Sequence, residues 1–279
     1  MRGVRTWSES ALKRRTKMGI GTGSGAGYTS AIRVQDFSST APQTRLPLLG
    51  RMVHAHSGLE RGFLLVKKFE SELIEYRDNA PMARPITLGL AQAYGIAHPL
   101  YPKTKMPVVM TLDAVISERM ANGTIFTAAY DVKPYGHLND ERVMEKLSIH
   151  RGYCEFIGMK HFVYTEKSAP EEYVANVDTV HAALPTLHEV LPVPNLFTFH
   201  PRAMLQELMS APRVANILQF CQDYDRRHAL PVGNALRVFK NLIWMHCVRI
   251  DLTKARMFLQ PLPSAKNISV VDRQGVVLA

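Results

Sequence analysis

Two acids and a lysine lie on one face of a predicted β-hairpin, in a pattern suited to binding a metal ion. Asp113 interrupts the apolar stretch MPVVMTLDAVI, and YDVKPYG places Asp131 two residues before Lys133. In the segments around these residues the even-numbered positions are apolar, and this period of two predicts β-strands. A strand does not need opposite charges on its other face, so these three residues point to chemistry.

The register of the hairpin decides how the three charges are arranged. Asn122-Gly123 lies between the two predicted strands and favours a turn. The two apolar faces must coincide, because a slip of one residue would expose one of them to water. A three- or five-residue loop, or a bulge, satisfies this condition and places Asp113 opposite Asp131, with Lys133 farther along the same face. Carboxylates roughly 5 Å apart repel each other unless positive charge lies between them.

These residues, with a further acid on the preceding helix (Glu60), make a hard-oxygen site for a divalent cation such as Mg²⁺. Such a cation lowers the pKa of bound water and offsets negative charge on a reacting phosphate. Lys133, protonated, could orient the water or stabilise developing charge, and the Val132 carbonyl could also reach the metal. The alternative is a cross-strand salt bridge, which would leave net negative charge on a partly buried face at a cost of several kcal/mol. We therefore favour metal-dependent catalysis.

Two predicted helices flank the hairpin. The stretch HSGLERGFLLVKKFE predicts a helix capped by Ser57, with Glu60 in the first turn, where it would at least stabilise the helix dipole. The stretch LNDERVMEKLSIHRGYCEFIG predicts another, with Arg142, Lys146 and His150 on an outer face for DNA phosphate or for solvent. Short strands are predicted at ELIEY and KHFVYTE. The order from residue 57 is thus helix, three strands, helix and strand, an αβββαβ core of the α/β class.

The charge of the chain favours a polyanionic partner. The net charge is +10, with 46% hydrophobic and 21% charged residues, and nucleic acid is the commonest polyanion. Much of the excess comes from the first 51 residues, which contain two acids and nine basic residues: Arg2, Arg5, Lys13, Arg14, Arg15, Lys17, Arg33, Arg45 and Arg51. We predict that residues 1–50 form a flexible basic arm, with Arg14, Arg15 and Lys17 on DNA. The alternative is a disordered arm without a ligand.

Cysteine usage and hydropathy limit the class of protein. The three cysteines are far apart and include no C-x-x-C pair, which argues against a structural zinc site or a disulfide framework. The sequence has no apolar run near eighteen residues and no signal-peptide core at its start. We predict a cytoplasmic, nucleoid-associated protein with no membrane contact.

The pattern becomes mostly helical from about residue 169. Helices are predicted over 171–191, 201–211, 213–229 and 231–244, followed by a short strand at HCVRIDL. Two helices joined around RRHALP resemble a helix-turn-helix with Arg237 and Lys240 exposed, and the alternative is a plain helical packing domain. We predict a winged-helix-like C-terminal domain over 169–262 and a flexible tail over 263–279.

The ordered set of motifs resembles the restriction-endonuclease-like PD-(D/E)xK nucleases and, within them, the TnsA family of endonuclease subunits of heteromeric bacterial transposases. The stretches that carry the resemblance are GSGAGY, RMVHAHSGLE, TLDAVI, YDVKP and YCEFIGMKHFVYTE. It implies an endonuclease domain over 51–168. Leu112 stands where a proline is often found, and Asp131 stands where some members have glutamine.

The resemblance also implies roles and partners. Glu60, Asp113 and Asp131 would be ligands of Mg²⁺, for which Mn²⁺ may substitute, and Lys133 the catalytic lysine. The chain would cut the 5′ ends of a transposon while a DDE-type, TnsB-like transposase cuts and joins the 3′ ends. It would contact an AAA+ ATPase, a TnsC-like regulator, through the C-terminal domain.

Two other functions remain open on the sequence. One is a stand-alone repair or restriction-type nuclease with the same core, which would cut DNA without a partner. The other is a non-catalytic DNA-binding adaptor, in which the acids would bind no metal.

Overall fold

The structure, a computed structural model, contains two compact units, Met1–Ala169 and Pro170–Ala279. The residues that it describes are 7–36, 43–186, 189, 191, 193–210, 213–272 and 275–278. No helix within these ranges is long and apolar enough to cross a lipid bilayer.

The first unit is a mixed four-stranded sheet between helices, preceded by a short hairpin. Its elements in chain order are α1 (Glu9–Lys17), β1 (Thr44–Leu48), β2 (Arg51–Ala55), α2 (Gly58–Glu70), β3 (Glu72–Pro81), α3 (Arg84–Ala93), β4 (Thr111–Arg119), β5 (Ile125–Val132), α4 (Glu141–Phe156) and β6 (Lys160–Tyr164). The sheet order is β3-β4-β5-β6, with antiparallel pairing up to β5 and parallel pairing between β5 and β6. This mixed α/β unit is consistent with a restriction-endonuclease-like fold, with α3 inserted between the first two strands of the core.

The predicted register of the β4–β5 hairpin is confirmed. Ala114 pairs with Tyr130 and Ile116 with Ala128, so the next two positions are Asp113 and Asp131. The reason is burial, because the even-numbered apolar residues from Ala114 to Ile116 and from Ala128 to Val132 pack with α2 in one hydrophobic core. The odd-numbered face carries the three charged residues.

A second core covers the odd-numbered face and fixes α4 against it. Ile149 and Cys154 of α4 are fully buried with Val115 of β4 and Ala129 of β5. Helix α4 therefore lies next to the strand that carries Asp131.

The N-terminal basic segment packs on the first unit. After α1 the chain turns so that Tyr28 is only 5% exposed, and its hydroxyl donates to the Asp78 carbonyl at 3.1 Å. The prediction of a flexible arm is therefore wrong over residues 7–36. The rest of that segment up to residue 42 lies outside the described residues.

Glycines allow this return of the chain. Gly23 has a φ of +92°, and a side chain there would lie 2.5 Å from the Gly27 carbonyl oxygen. A residue with a Cβ atom would therefore strain the turn. The glycine-rich stretch is a structural turn within the unit.

We expect Tyr28→Phe to lower the free energy of unfolding by about 1 kcal/mol, because it removes one buried hydrogen bond. Urea or thermal unfolding of the full chain measures the change. Tyr135→Phe is the matched control, since Tyr135 is 44% exposed. Equal stability of the two variants would contradict the packing of the N-terminal segment.

The second unit is mostly helical, as predicted. Its helices are α5 (Glu171–His181), α6 (His200–Met209), α7 (Ile217–Arg227) and α8 (Asn234–Trp244). Strand pairing in the described part of this unit is limited to the isolated bridges Val248–Ile268 and Val271–Val277. The winged-helix assignment therefore stays a prediction.

Two expectations for the second unit are corrected. Arg237, predicted to be exposed, pairs with Glu189 at 2.5 Å and donates to the Ala183 carbonyl at 2.9 Å, so its charge is used inside the fold. The predicted flexible tail bonds back to the unit, where the Ser269 N–H donates to the Cys247 carbonyl at 2.7 Å. Backbone hydrogen bonds between residues 247–248 and residues 268–269 hold the described part of the tail against the unit.

Candidate metal and DNA-cutting site

The geometry of the helix start fixes Glu60. Ser57 caps α2, and its hydroxyl oxygen accepts from the Glu60 N–H at 3.1 Å. In return the Glu60 carboxylate accepts from the His56 N–H at 2.9 Å and from the Ser57 hydroxyl at 3.1 Å. This reciprocal capping holds both carboxylate oxygens of Glu60 in place.

Asp113 and Lys133 form the tightest contact of the cluster. The Lys133 ammonium lies 2.5 Å from Asp113 Oδ2, which also accepts from the Val132 N–H at 2.8 Å. The same ammonium is 4.0 Å from Asp131 Oδ1. The structure thus brings Asp113, Asp131 and Lys133 together, while the predicted role of the Val132 carbonyl stays a prediction.

The protonation states of the cluster follow from burial and from its charges. Burial raises the pKa of Glu60 to about 7, and the negative charge of Asp113 adds to the shift, against the hydrogen bonds from His56 and Ser57. Burial alone would lower the pKa of Lys133, but the carboxylates of Asp113 and Asp131 raise it above its usual value. Lys133 is therefore a permanent cation here and serves as a charge and a hydrogen-bond donor.

Asp131 is completely buried and is held by two histidines. His150 Nδ1 and His161 Nε2 each lie 2.7 Å from Asp131 Oδ2. Burial alone would raise the pKa of Asp131, but the contacts with His150 and His161 keep it well below its usual range. Asp131 is therefore a carboxylate.

This arrangement corrects the expectation for His150 and adds a residue that the sequence did not indicate. His150 was predicted on an outer face, for DNA or solvent, but it is 7% exposed and points to Asp131. His161 lies beside Ala129 in the parallel pairing of β5 and β6. No local turn sets that pairing, so the sequence contained no direct signal for His161.

The residues present fit a divalent cation. Asp131 Oδ1 is buried and has no hydrogen-bond partner among the described residues. Three carboxylates (Glu60, Asp113 and Asp131) face one lysine, and the negative charge of Asp113 adds to the rise that burial causes in the pKa of Glu60. Hard oxygen donors with net negative charge suit Mg²⁺ or Mn²⁺.

A second donor set shares Asp131. One ligand atom each from Asp131, His150 and His161 lies within 4.8 Å of the others. Imidazole nitrogens suit zinc or iron better than Mg²⁺. The two histidines therefore suit a zinc or iron ion, whereas the unpaired carboxylate oxygen of Asp131 suits Mg²⁺ or Mn²⁺.

The basic residues predicted to bind DNA at the N-terminus separate into two groups. Arg14 and Lys17 are exposed on α1. Arg15, by contrast, is 3.1 Å from Asp36 and lies over the Trp7 ring, with 16% of its side chain exposed. The charge of Arg15 is thus paired within the fold, and its contact with DNA stays a prediction.

Two basic residues of α4 stay open to solvent. Lys146 is exposed, and Arg142 is 38% exposed with its guanidinium 2.5 Å from Glu145. Their contact with DNA stays a prediction.

Two comparisons with known proteins found similar sequences. Residues 66–166 match the family described as TnsA-like endonuclease N terminal. This range includes Asp113, Asp131 and Lys133 and begins after Glu60. The chain is also 26% identical over 258 residues to the transposon Tn7 transposition protein TnsA of Escherichia coli, an alignment that covers 90% of this chain and 89% of the relative.

Proposed function

We propose that this chain is a TnsA-like endonuclease subunit of a transposase, and that it hydrolyses the 5′ ends of a transposon with a divalent metal ion; the family match over residues 66–166 and the likeness to a Tn7 transposition protein support the proposal. The observation that carries the proposal is the cluster of Asp113, Asp131 and Lys133 on one hairpin face, with Glu60 within electrostatic reach. Cutting at the 5′ strands complements a partner that cuts and joins the 3′ strands, and together they allow cut-and-paste excision.

Each side chain of the cluster has a defined task. Glu60, Asp113 and Asp131 would hold the metal ion, and the Val132 carbonyl would add a neutral oxygen. When bound, the ion supplies an activated water and stabilises charge on the phosphate. Lys133 holds Asp113 by a charged hydrogen bond and offers its remaining N–H groups to the water or to a phosphate oxygen.

The proposed partners are macromolecular. They are transposon-end DNA, a DDE-type, TnsB-like transposase and an AAA+, TnsC-like ATPase. The likeness to a Tn7 transposition protein supports them, and the basic charge of the chain suits the DNA. The corresponding location is the bacterial nucleoid in the cytoplasm.

Strand-resolved cleavage of a plasmid carrying the transposon ends tests the proposal. We expect the chain and the transposase of the same element, with Mg²⁺ or Mn²⁺, to cut both strands. Without the chain, the 3′ strands should still be cut and joined while the 5′ strands stay intact. Cleavage by the chain alone would favour the stand-alone nuclease, and 5′ cleavage that does not need the chain would favour the adaptor.

We expect Lys146→Ala to weaken DNA binding by about 3- to 10-fold, regardless of DNA sequence, and to lower the salt dependence of binding by about one ion. The reason is the loss of one exposed phosphate contact on α4. Fluorescence anisotropy at several salt concentrations measures both effects. Lys254→Ala is the control, since Lys254 lies in the second unit beside Asp251, and equal effects of both variants would contradict a DNA contact on α4.

A further inference from the structure

His150 of α4 and His161 of β6 approach the same atom of Asp131 from two different elements. Both distances to Oδ2 are 2.7 Å, and both imidazole side chains are at least nine-tenths buried. The other carboxylate oxygen, Oδ1, has no hydrogen bond among the described residues and is 4.0 Å from the Lys133 ammonium. The two oxygens of Asp131 therefore have different environments.

Hydrogen bonding explains the contacts better than a metal shared by the three side chains. A distance of 2.7 Å is typical of a charge-assisted N–H···O bond. Ligand atoms bound to one tetrahedral ion at about 2.0–2.1 Å would lie more than about 3 Å apart. Since a carboxylate oxygen only accepts, the protons reside on Nδ1 of His150 and Nε2 of His161.

We propose that His150 and His161 are positioning residues: they fix Asp131 Oδ2 so that Oδ1 faces Asp113 and Lys133 as a metal ligand. A carboxylate on a strand would otherwise rotate about its side-chain bond and satisfy both oxygens with whatever donors were near. Two donors on separate elements remove that freedom. Leaving Oδ1 without a hydrogen bond costs free energy of burial, which a bound cation would offset.

The proposal assigns a function to the parallel strand β6. His161 reaches Asp131 because β6 pairs alongside β5, with Val163 opposite Asp131. Phe162, the next residue, stacks on Tyr130 at a ring distance of 5.4 Å and lies on the opposite face of the sheet. Strand β6 thus places an aromatic contact on one face of the sheet and the histidine on the other.

The test uses pairs of variants that keep or remove each donor. The asparagine amide nitrogen replaces imidazole Nδ1, and the glutamine amide nitrogen replaces Nε2. We therefore compare His150→Asn with His150→Leu, and His161→Gln with His161→Leu, in the full chain. Titration calorimetry with Mn²⁺ measures the affinity, and thermal unfolding without metal verifies folding.

We expect each leucine variant to bind Mn²⁺ about 10- to 100-fold more weakly than wild type. His150→Asn and His161→Gln should keep most of the affinity. In cleavage assays, the leucine variants should need more Mn²⁺ for half-maximal rate and regain most of that rate at saturation. A change in the Mn²⁺ requirement with little change in the saturated rate indicates a residue that positions a metal ligand. Loss of a group that acts on the substrate would lower the saturated rate.

Three results would overturn the proposal: unchanged Mn²⁺ affinity in folded leucine variants, equal losses in the amide and leucine variants, or one Zn²⁺ per wild-type chain that all four variants lose. The last result would make the three side chains ligands of one ion. The inference rests on the proposed metal-dependent function. Mn²⁺ binding by Asp113→Ala distinguishes a failure of that function from a failure of the positioning role. If Asp113→Ala leaves Mn²⁺ binding unchanged, the proposed function fails; if it abolishes binding while the leucine variants do not weaken it, only the positioning role fails.

Discussion

We expect Lys133→Ala to lower the rate of the proposed 5′-strand cleavage by roughly 10²- to 10³-fold, the usual cost of removing one preorganised donor that stabilises developing charge. We expect 3′-strand joining by the proposed partner transposase to continue, because that active site would be in another chain. The structural reason is that the Lys133 ammonium contacts Asp113 and lies 4.0 Å from Asp131 Oδ1. Strand-resolved cleavage at saturating Mn²⁺ measures both reactions in one sample.

Loss of Lys133 also leaves carboxylates without a neutralising partner, so the metal-free variant should unfold more easily. Mn²⁺ should restore its stability, which separates a folding defect from a catalytic one. Lys67→Ala is the matched control, since Lys67 forms a largely buried ion pair with Glu118 and lies over the Tyr130 ring, on the face of the sheet opposite to the cluster. If Lys133→Ala cuts 5′ strands like wild type, the cluster is structural and the adaptor function should replace the nuclease.

The parts of the fold that follow local rules were predictable. Ser57 caps α2 as its residue type indicated, because capping needs only a side-chain oxygen and a free N–H. The hairpin register was also predictable, since strict alternation leaves one pairing that buries both apolar faces. These two features bring Glu60 and Asp113 into one site.

The parts that depend on distant contacts were not predictable. Tyr28 bonds to Asp78, fifty positions along the chain, and nothing in the glycine-rich stretch identifies that partner. The positive charge of this segment predicted an arm for DNA, but charge alone does not show that Arg15 pairs with Asp36 inside the fold. His161 depends on the parallel pairing of β6, which is set through α4 and its core.

Glu60→Gln raises the free energy of unfolding of the metal-free protein by about 3 kcal/mol at pH 8 and has little effect near pH 4. The pKa of Glu60 is raised from 4.5 to about 7 in the folded state. Below pH 4.5 the carboxyl is protonated in both states, and its contribution to stability is complete. As the pH rises to 7 the unfolded chain loses this proton first, so stability falls. Glutamine stays neutral and avoids the loss.

With metal present at high pH, we expect wild type to be more stable than Glu60→Gln. A cation that binds only the folded state stabilises it, and tighter binding gives more stability. Mg²⁺ should stabilise wild type above pH 7 and Glu60→Gln much less, since the variant lacks one anionic ligand. Urea unfolding from pH 4 to pH 8, with and without Mg²⁺, measures both effects. Glu141→Gln is the control, because Glu141 also lies in the first turn of its helix, α4, but is exposed. Parallel pH profiles for wild type and Glu60→Gln would show that neither burial nor the charge of Asp113 raises the pKa of Glu60, and would argue against Glu60 as part of the metal site.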